Sequence, residues 1–252
     1  MAPGLVIQHA RMPVRNKALV RCDITGIIGF VPKSKWPTNA SSGDFIEFVL
    51  RRTSDLFEHP DKDLFDQASL TAVEAFFVNG GDTAHLFGVC VETMEVLKNP
   101  ASVEETLDPL LDRLRAEEEI GLLIVPAAAY MTCSLNRLGA VKAEVESLYN
   151  VLLSHCKEMT NRFLIMDSPA GLHGEPLIRW VDSFRQHDRD NRSFGAIYYP
   201  WLHSGDSVFP PSGVIAGSFA KSEIEHGDFG VVWPPANNPL KGLTHLEVEL
   251  TW

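Results

Sequence analysis

Three loop residues have the types used in acyl transfer. Ser168 follows an apolar run that ends at Met166, and His203 and Asp206 follow one that ends at Tyr199. A serine deprotonated by a histidine that a carboxylate orients would attack a carbonyl carbon, so an α/β hydrolase is one reading of these positions. No Gly-x-Ser-x-Gly elbow frames any serine, however, and Asp167 and Ser168 serve equally well as turn and capping residues. Asp82-x-x-His85, with His203 and His226, offers metal-binding side chains, but single histidines without i, i+4 pairing are more often surface or hydrogen-bonded groups. Cys22, Cys90, Cys133 and Cys156 stand singly among apolar neighbours and read as reduced core thiols. Neither a phosphate-cradling Gly-x-x-x-x-Gly-Lys-Ser/Thr loop nor a Gly-x-Gly-x-x-Gly turn occurs. The sequence therefore assigns no catalytic, cofactor or metal residue, and the expectation is a protein that is not an enzyme.

Composition narrows the classes further. The 252 residues, 45% hydrophobic and 22% charged, can bury a substantial core. A net charge of -11 disfavours a phosphate-backbone partner, because such a surface needs a basic stripe. No run of eighteen apolar residues is present, and the first fifteen residues lack the layout of a secretion signal. A soluble cytosolic product without a nucleic-acid or membrane partner is expected.

The elements that would position these residues follow from periodicity. Residues 1–20 carry Pro3 and Pro13 without a clean period and read as an extended N-terminal arm, leaving 21–252 as the core. A β-rich run ends at Pro32, and Gly43 to Phe57, apolar at Phe45, Val49 and Leu56, predicts a helix. Leu70, Val73 and Phe77 mark a helix from Asp66 that Asn79-Gly80-Gly81 stops, and Ala84 to Val91 reads as a buried strand. A second helix spans about 102 to 119, with Ser102-x-x-Glu105 as a capping box or Asp108-Pro109 as a later start, and Glu117-Glu118-Glu119 as its solvated end. Gly121 to Pro126 is a strand, 127 to 135 a loop, Ala140 to Lys157 a helix, Asn161 to Asp167 a strand, 178 to 187 a helix and 194 to 199 a strand. Apolar strands alternating with amphipathic helices predict an α/β fold, a mostly parallel sheet flanked by helices on both faces.

Residues 193–237 concentrate Tyr198, Tyr199, Trp201, Phe209, Phe219, Phe229 and Trp233, types that dominate packed surfaces. Six stretches, in order, resemble the contractile tail sheath proteins of bacteriophages and of related bacterial injection machines. They are FFVNGGDTAHLFGV (76–89), LLIVPAAAY (122–130), RFLIMDSPAG (162–171), FGAIYYPWL (194–202), VFPPSGVIAGSFAKSE (208–223) and VVWPPANNPLKG (231–242). Order and spacing agree over roughly residues 21 to 243.

The resemblance implies a structural subunit that stacks as rings or a helix around an inner tube, with partners among its own copies and the tail tube and baseplate proteins. A non-polymerising cap or baseplate adaptor is the alternative. The implied core is subtilisin-like in fold only: where a nucleophile Gly-Thr-Ser would be sought, Gly217-Ser-Phe-Ala220 stands on a buried helix. The resemblance also implies assembly in the bacterial cytoplasm into a phage tail or phage-like particle. Sheath proteins continue past the Trp-Pro-Pro-Ala-Asn block into a region supplying a second arm, whereas this sequence ends at Trp252, with residues 243–252 alternating like a strand. Terminal extended segments are suited to β-addition. Val14, Arg15, Leu19 and Val20 at one end, and Leu246, Val248 and Leu250 at the other, are the candidate interface residues.

Overall fold

A computed structural model describes residues 21–36, 40–131, 133–135, 141–187, 190–226 and 234–248. The chain opens with β1 (Ile24–Pro32) and continues through β2 (Phe45–Leu50) and α1 (Thr53–Phe57). Next come α2 (Gln67–Val78), β3 (Thr83–Val91), α3 (Pro100–Ala116), β4 (Leu122–Ile124) and the hairpin β5 (Cys133–Leu135) and β6 (Val141–Ala143). α4 (Glu146–Met159), β7 (Phe163–Asp167), α5 (Gly174–His187) and β8 (Gly195–Tyr198) complete the central layers. β9 (Leu202–Ser204), β10 (Ser207–Phe209), α6 (Ser212–His226) and β11 (His245–Leu246) follow.

The main sheet has the order β2-β3-β1-β4-β7-β8, parallel except for β2. Its strands read as continuous apolar runs because both faces are covered. Ile28, Phe30, Phe87, Leu123 and Leu164 bury against α3, α4 and α5, and Ile27, Leu86, Ile124 and Ile165 against α2 and α6. The expected α/β architecture is therefore present, with β9, β10 and β11 forming a small antiparallel sheet beside it.

Several helix ends are written in the sequence. Asp66 caps α2 by accepting from the Ser69 amide at 2.8 Å, and its second oxygen takes the Ser69 hydroxyl at 2.8 Å. The other end closes as a Schellman motif. Gly80, at φ +103°, and Gly81 donate to the Phe77 and Phe76 carbonyls, the 5→2 and 6→1 bonds that glycine permits.

Three expectations are corrected. Gly43 to Phe57 is a strand followed by one helical turn, because FIEFVL pairs with β3 from Phe45↔Val89 to Leu50↔Ala84. Glu47 on that edge strand receives both Arg113 from α3 (2.9 and 3.0 Å) and His85 (2.7 Å). The third helix begins at Asn99-Pro100: the Asn99 side chain accepts from Ala101 N at 3.0 Å, and Pro109 sits within the helix on its exposed side. Residues 141–143, read as helix, form a strand against 133–135, and α4 starts only at Glu146.

Candidate functional site

The carboxyl ends of the parallel strands are where ligands of such sheets usually sit. Asp167 ends β7 there and is 1% exposed. Its Oδ1 accepts from the Ser212 amide at 2.7 Å, at the start of α6, while Oδ2 has no partner among the described residues. Burial pushes this carboxyl up to about 7, against the lowering effect of the Ser212 contact. Tyr149 from α4 donates its hydroxyl to the Asp167 carbonyl at 2.9 Å, and Trp201 donates Nε1 to the Ser168 carbonyl at 2.8 Å. The Asp-Ser-Pro turn is thus clamped by α4, by α6 and by the residue just before β9. It is an interior joint, closed to substrate.

No triad forms from the serine, histidine and aspartate read in the sequence. Ser168 is fully buried, and its hydroxyl meets no base among the described residues. His203 lies on β9, its ring stacked 4.0 Å from that of His245 across the β9–β11 pair, and Asp206 is exposed in the turn before β10. Ser218, which follows Gly217 on α6, is buried at 3% exposure. Of the metal candidates, His85 is held by Glu47, and no group of three or more ligand side chains converges among the described residues. Burial pushes the Cys156 thiol up to about 12 and raises Cys22 also, so neither behaves as a nucleophile near neutrality.

The switch between β1 and β4 opens an apolar groove of about 700 Å³ against Phe30, Met94, Tyr130, Val208 and Phe209. Its one carboxylate, Asp66, already caps α2. A second groove of about 790 Å³ runs along the outer side of α3 and α4. Its lining includes Lys98, which pairs with Glu144 at 3.0 Å, and Arg115, which pairs with Glu158 at 3.0 Å. Below it lies His155, 2% exposed, whose Nε2 faces Arg162 Nη1 at 2.8 Å. Arginine only donates, so Nε2 accepts and the proton sits on Nδ1, which has no acceptor among the described residues. Burial and the Arg162 charge lower His155 to about 4, keeping the ring neutral. Periodicity could not reveal this groove, because its lining comes from successive turns of two helices that only the tertiary fold sets side by side.

Of the candidate interface residues, Leu246 lies in β11, opposite Leu202 of β9, and is 39% exposed. Val248 follows it, after Glu247 has donated its amide to the Trp201 carbonyl at 2.9 Å. Val14, Arg15, Leu19, Val20 and Leu250 lie outside the described residues, as do Phe229 and Trp233 of the aromatic stretch.

No protein-family model matches the chain, and no curated protein matches it. Solved structures do. The helical sheath of the anti-feeding prophage in its contracted state matches over all of this chain at a TM-score of 0.56 and 21% identity. A chain of the six-fold symmetrised anti-feeding prophage baseplate matches at 0.55 and 19%, again over the whole chain. The contracted sheath complex of PVC, an extracellular contractile injection system, matches at 0.52 and 20%. The fold is therefore that of contractile sheath-like proteins. This chain spans 60% of the length of the two anti-feeding prophage chains and 58% of the PVC chain.

Proposed function

We propose that the protein is a structural, non-enzymatic subunit of a contractile tail or injection machine, assembling with copies of itself in rings or a helix around an inner tube. The observation that supports this most is the match of the entire chain to two contracted sheaths. Inner-tube and baseplate proteins are the partners of this reading. The bacterial cytoplasm is where it would assemble into a phage tail or phage-like particle. Residues 1–20 are an arm on a core of 21–252, and Val14, Arg15, Leu19, Val20, Leu246, Val248 and Leu250 supply strand-exchange contacts. Electron microscopy of the purified chain should show rings, tubes or filaments. Monomers at every concentration, with no binding to tube or baseplate proteins, would defeat the proposal. Leu19→Pro and Val248→Pro remove backbone donors, and each should shorten or abolish the assemblies while leaving the far-ultraviolet circular dichroism unchanged.

A second reading is a non-polymerising cap or baseplate adaptor, favoured by the near-equal match to a baseplate chain. A stoichiometric complex with baseplate proteins, formed without tubes, would select it.

A further inference from the structure

We infer that the groove between α3 and α4 is the docking site of the chain's own N-terminal segment, residues 1–20, folded back in cis on the unassembled subunit. The groove asks for a cation. Lys98 and Arg115 are already committed to Glu144 and Glu158, and Glu146 accepts from Trp180 Nε1 at 2.9 Å, which leaves Glu104 and Asp108 exposed and facing no cation among the described residues. It also asks for a peptide backbone. Among the described residues His155 presents a buried N–H without an acceptor, and Asn150, five residues earlier on the same helix, a buried amide oxygen without a donor. A peptide backbone carries carbonyls for one and N–H groups for the other at successive residues, whereas a simple metal cation would satisfy only the acceptor.

Residues 1–20 fit both demands. They contain Arg11, Arg15 and Lys17 and no acidic residue, within a chain whose net charge is -11. The segment also starts in the right place. Arg21 sits against the strand that follows α3, its guanidinium 3.6 Å from Glu119, and a Cβ on Gly121 would fall on the Arg21 carbonyl. The C-terminal turn of α3, with Arg115 in the groove, is thus the end nearest the segment. Twenty residues reach about 60 Å when extended, and α3 is only about 25 Å long. The same segment of a second copy carries the same charges but must be brought in by association, whereas the chain's own is already tethered beside the groove.

The proposal rests on the assembly reading only for its consequence, that a docked segment is withheld from neighbouring subunits. Hydrogen–deuterium exchange of the full-length protein tests it. The amides of residues 8–17 should exchange at least about tenfold more slowly than in an unstructured chain. Glu104→Lys with Asp108→Lys should abolish that protection. Adding Arg11→Glu, Arg15→Glu and Lys17→Glu to that variant should restore it. Equal exchange in wild type and the groove variant, or protection that disappears on dilution and so comes from another copy, would overturn the proposal. Protection retained in a preparation that never assembles would uphold it while overturning the assembly reading.

Discussion

Asp167 couples its own protonation to the stability of the fold. Its carboxyl rises from an ordinary value near 3.8 to about 7 because it is buried. Between those values the folded chain holds a proton that the unfolded chain has released, so stability falls as pH rises through that window and levels off above it. The shift corresponds to at most about 4 kcal/mol. Asp167→Asn keeps the acceptor for the Ser212 amide and removes the charge. Urea unfolding should show the variant gaining on the order of 2 kcal/mol over wild type at pH 8, with little difference near pH 4. A wild type whose stability is flat from pH 4 to 8 would refute this. Arg162 is a second buried ionisable group, 3% exposed, donating Nε to the Ile120 carbonyl at 3.0 Å and bonding the Glu117 carbonyl and His155. Arg162→Met leaves those three acceptors bare and should cost about 3 kcal/mol in the same assay. Neither role was legible in the sequence, where Asp167 read as a turn residue and Arg162 as the start of a strand. Burial, which turns a capping carboxylate into a titrating acid, is set by groups 18 to 45 positions away along the chain.

At the scale of elements, sequence legibility tracked the source of the stabilising contacts. α2 was visible end to end because its cap, apolar stripe and Asn-Gly-Gly stop are all local. β2 and β6 were misread because their state is decided by strands elsewhere in the chain, while Phe45, Val49 and Val141 also fall on helical spacings. Asn99-Pro100 also carries a start signal, an amide cap followed by proline at N1, which competes in the sequence with Ser102-x-x-Glu105 and Asp108-Pro109. The small residues of α6 also have a specific meaning. A Cβ on Gly213 would stand 2.6 Å from the Ala72 carbonyl oxygen and one on Gly217 2.3 Å from that of Phe76, so α6 lies backbone to backbone on α2. Neither obstacle is a side chain that can turn aside. Gly217→Ala should therefore destabilise the fold by about 3 kcal/mol, measurable as a lowered denaturation midpoint, although alanine favours a helix in isolation. An unchanged midpoint would show that the two helices can separate at little cost.

At the scale of the molecule, the fold class was readable from the alternation of elements, and the likeness to sheath proteins from six ordered blocks, whereas the grooves were not. The charge of -11 sets a further expectation for assembly. Like-charged subunits repel, and the proposed docking of the N-terminal segment is itself electrostatic, so added salt weakens both obstacles. Raising salt from about 50 mM to about 500 mM should increase the assembled fraction in sedimentation, and a decrease would mean that attraction between charges holds the subunits together. The contact between α2 and α6 bears on mechanics as well. Glycines that interlock two helices against main-chain atoms leave no soft layer of side chains to shear, so a load applied across the sheet is carried by this block without internal slip. Compliance then falls to the periphery, where, among the described residues, β11 pairs with β9 at two positions. A pulling experiment that anchors the molecule at its C-terminus should detach that strand at low force, well before the helical block yields.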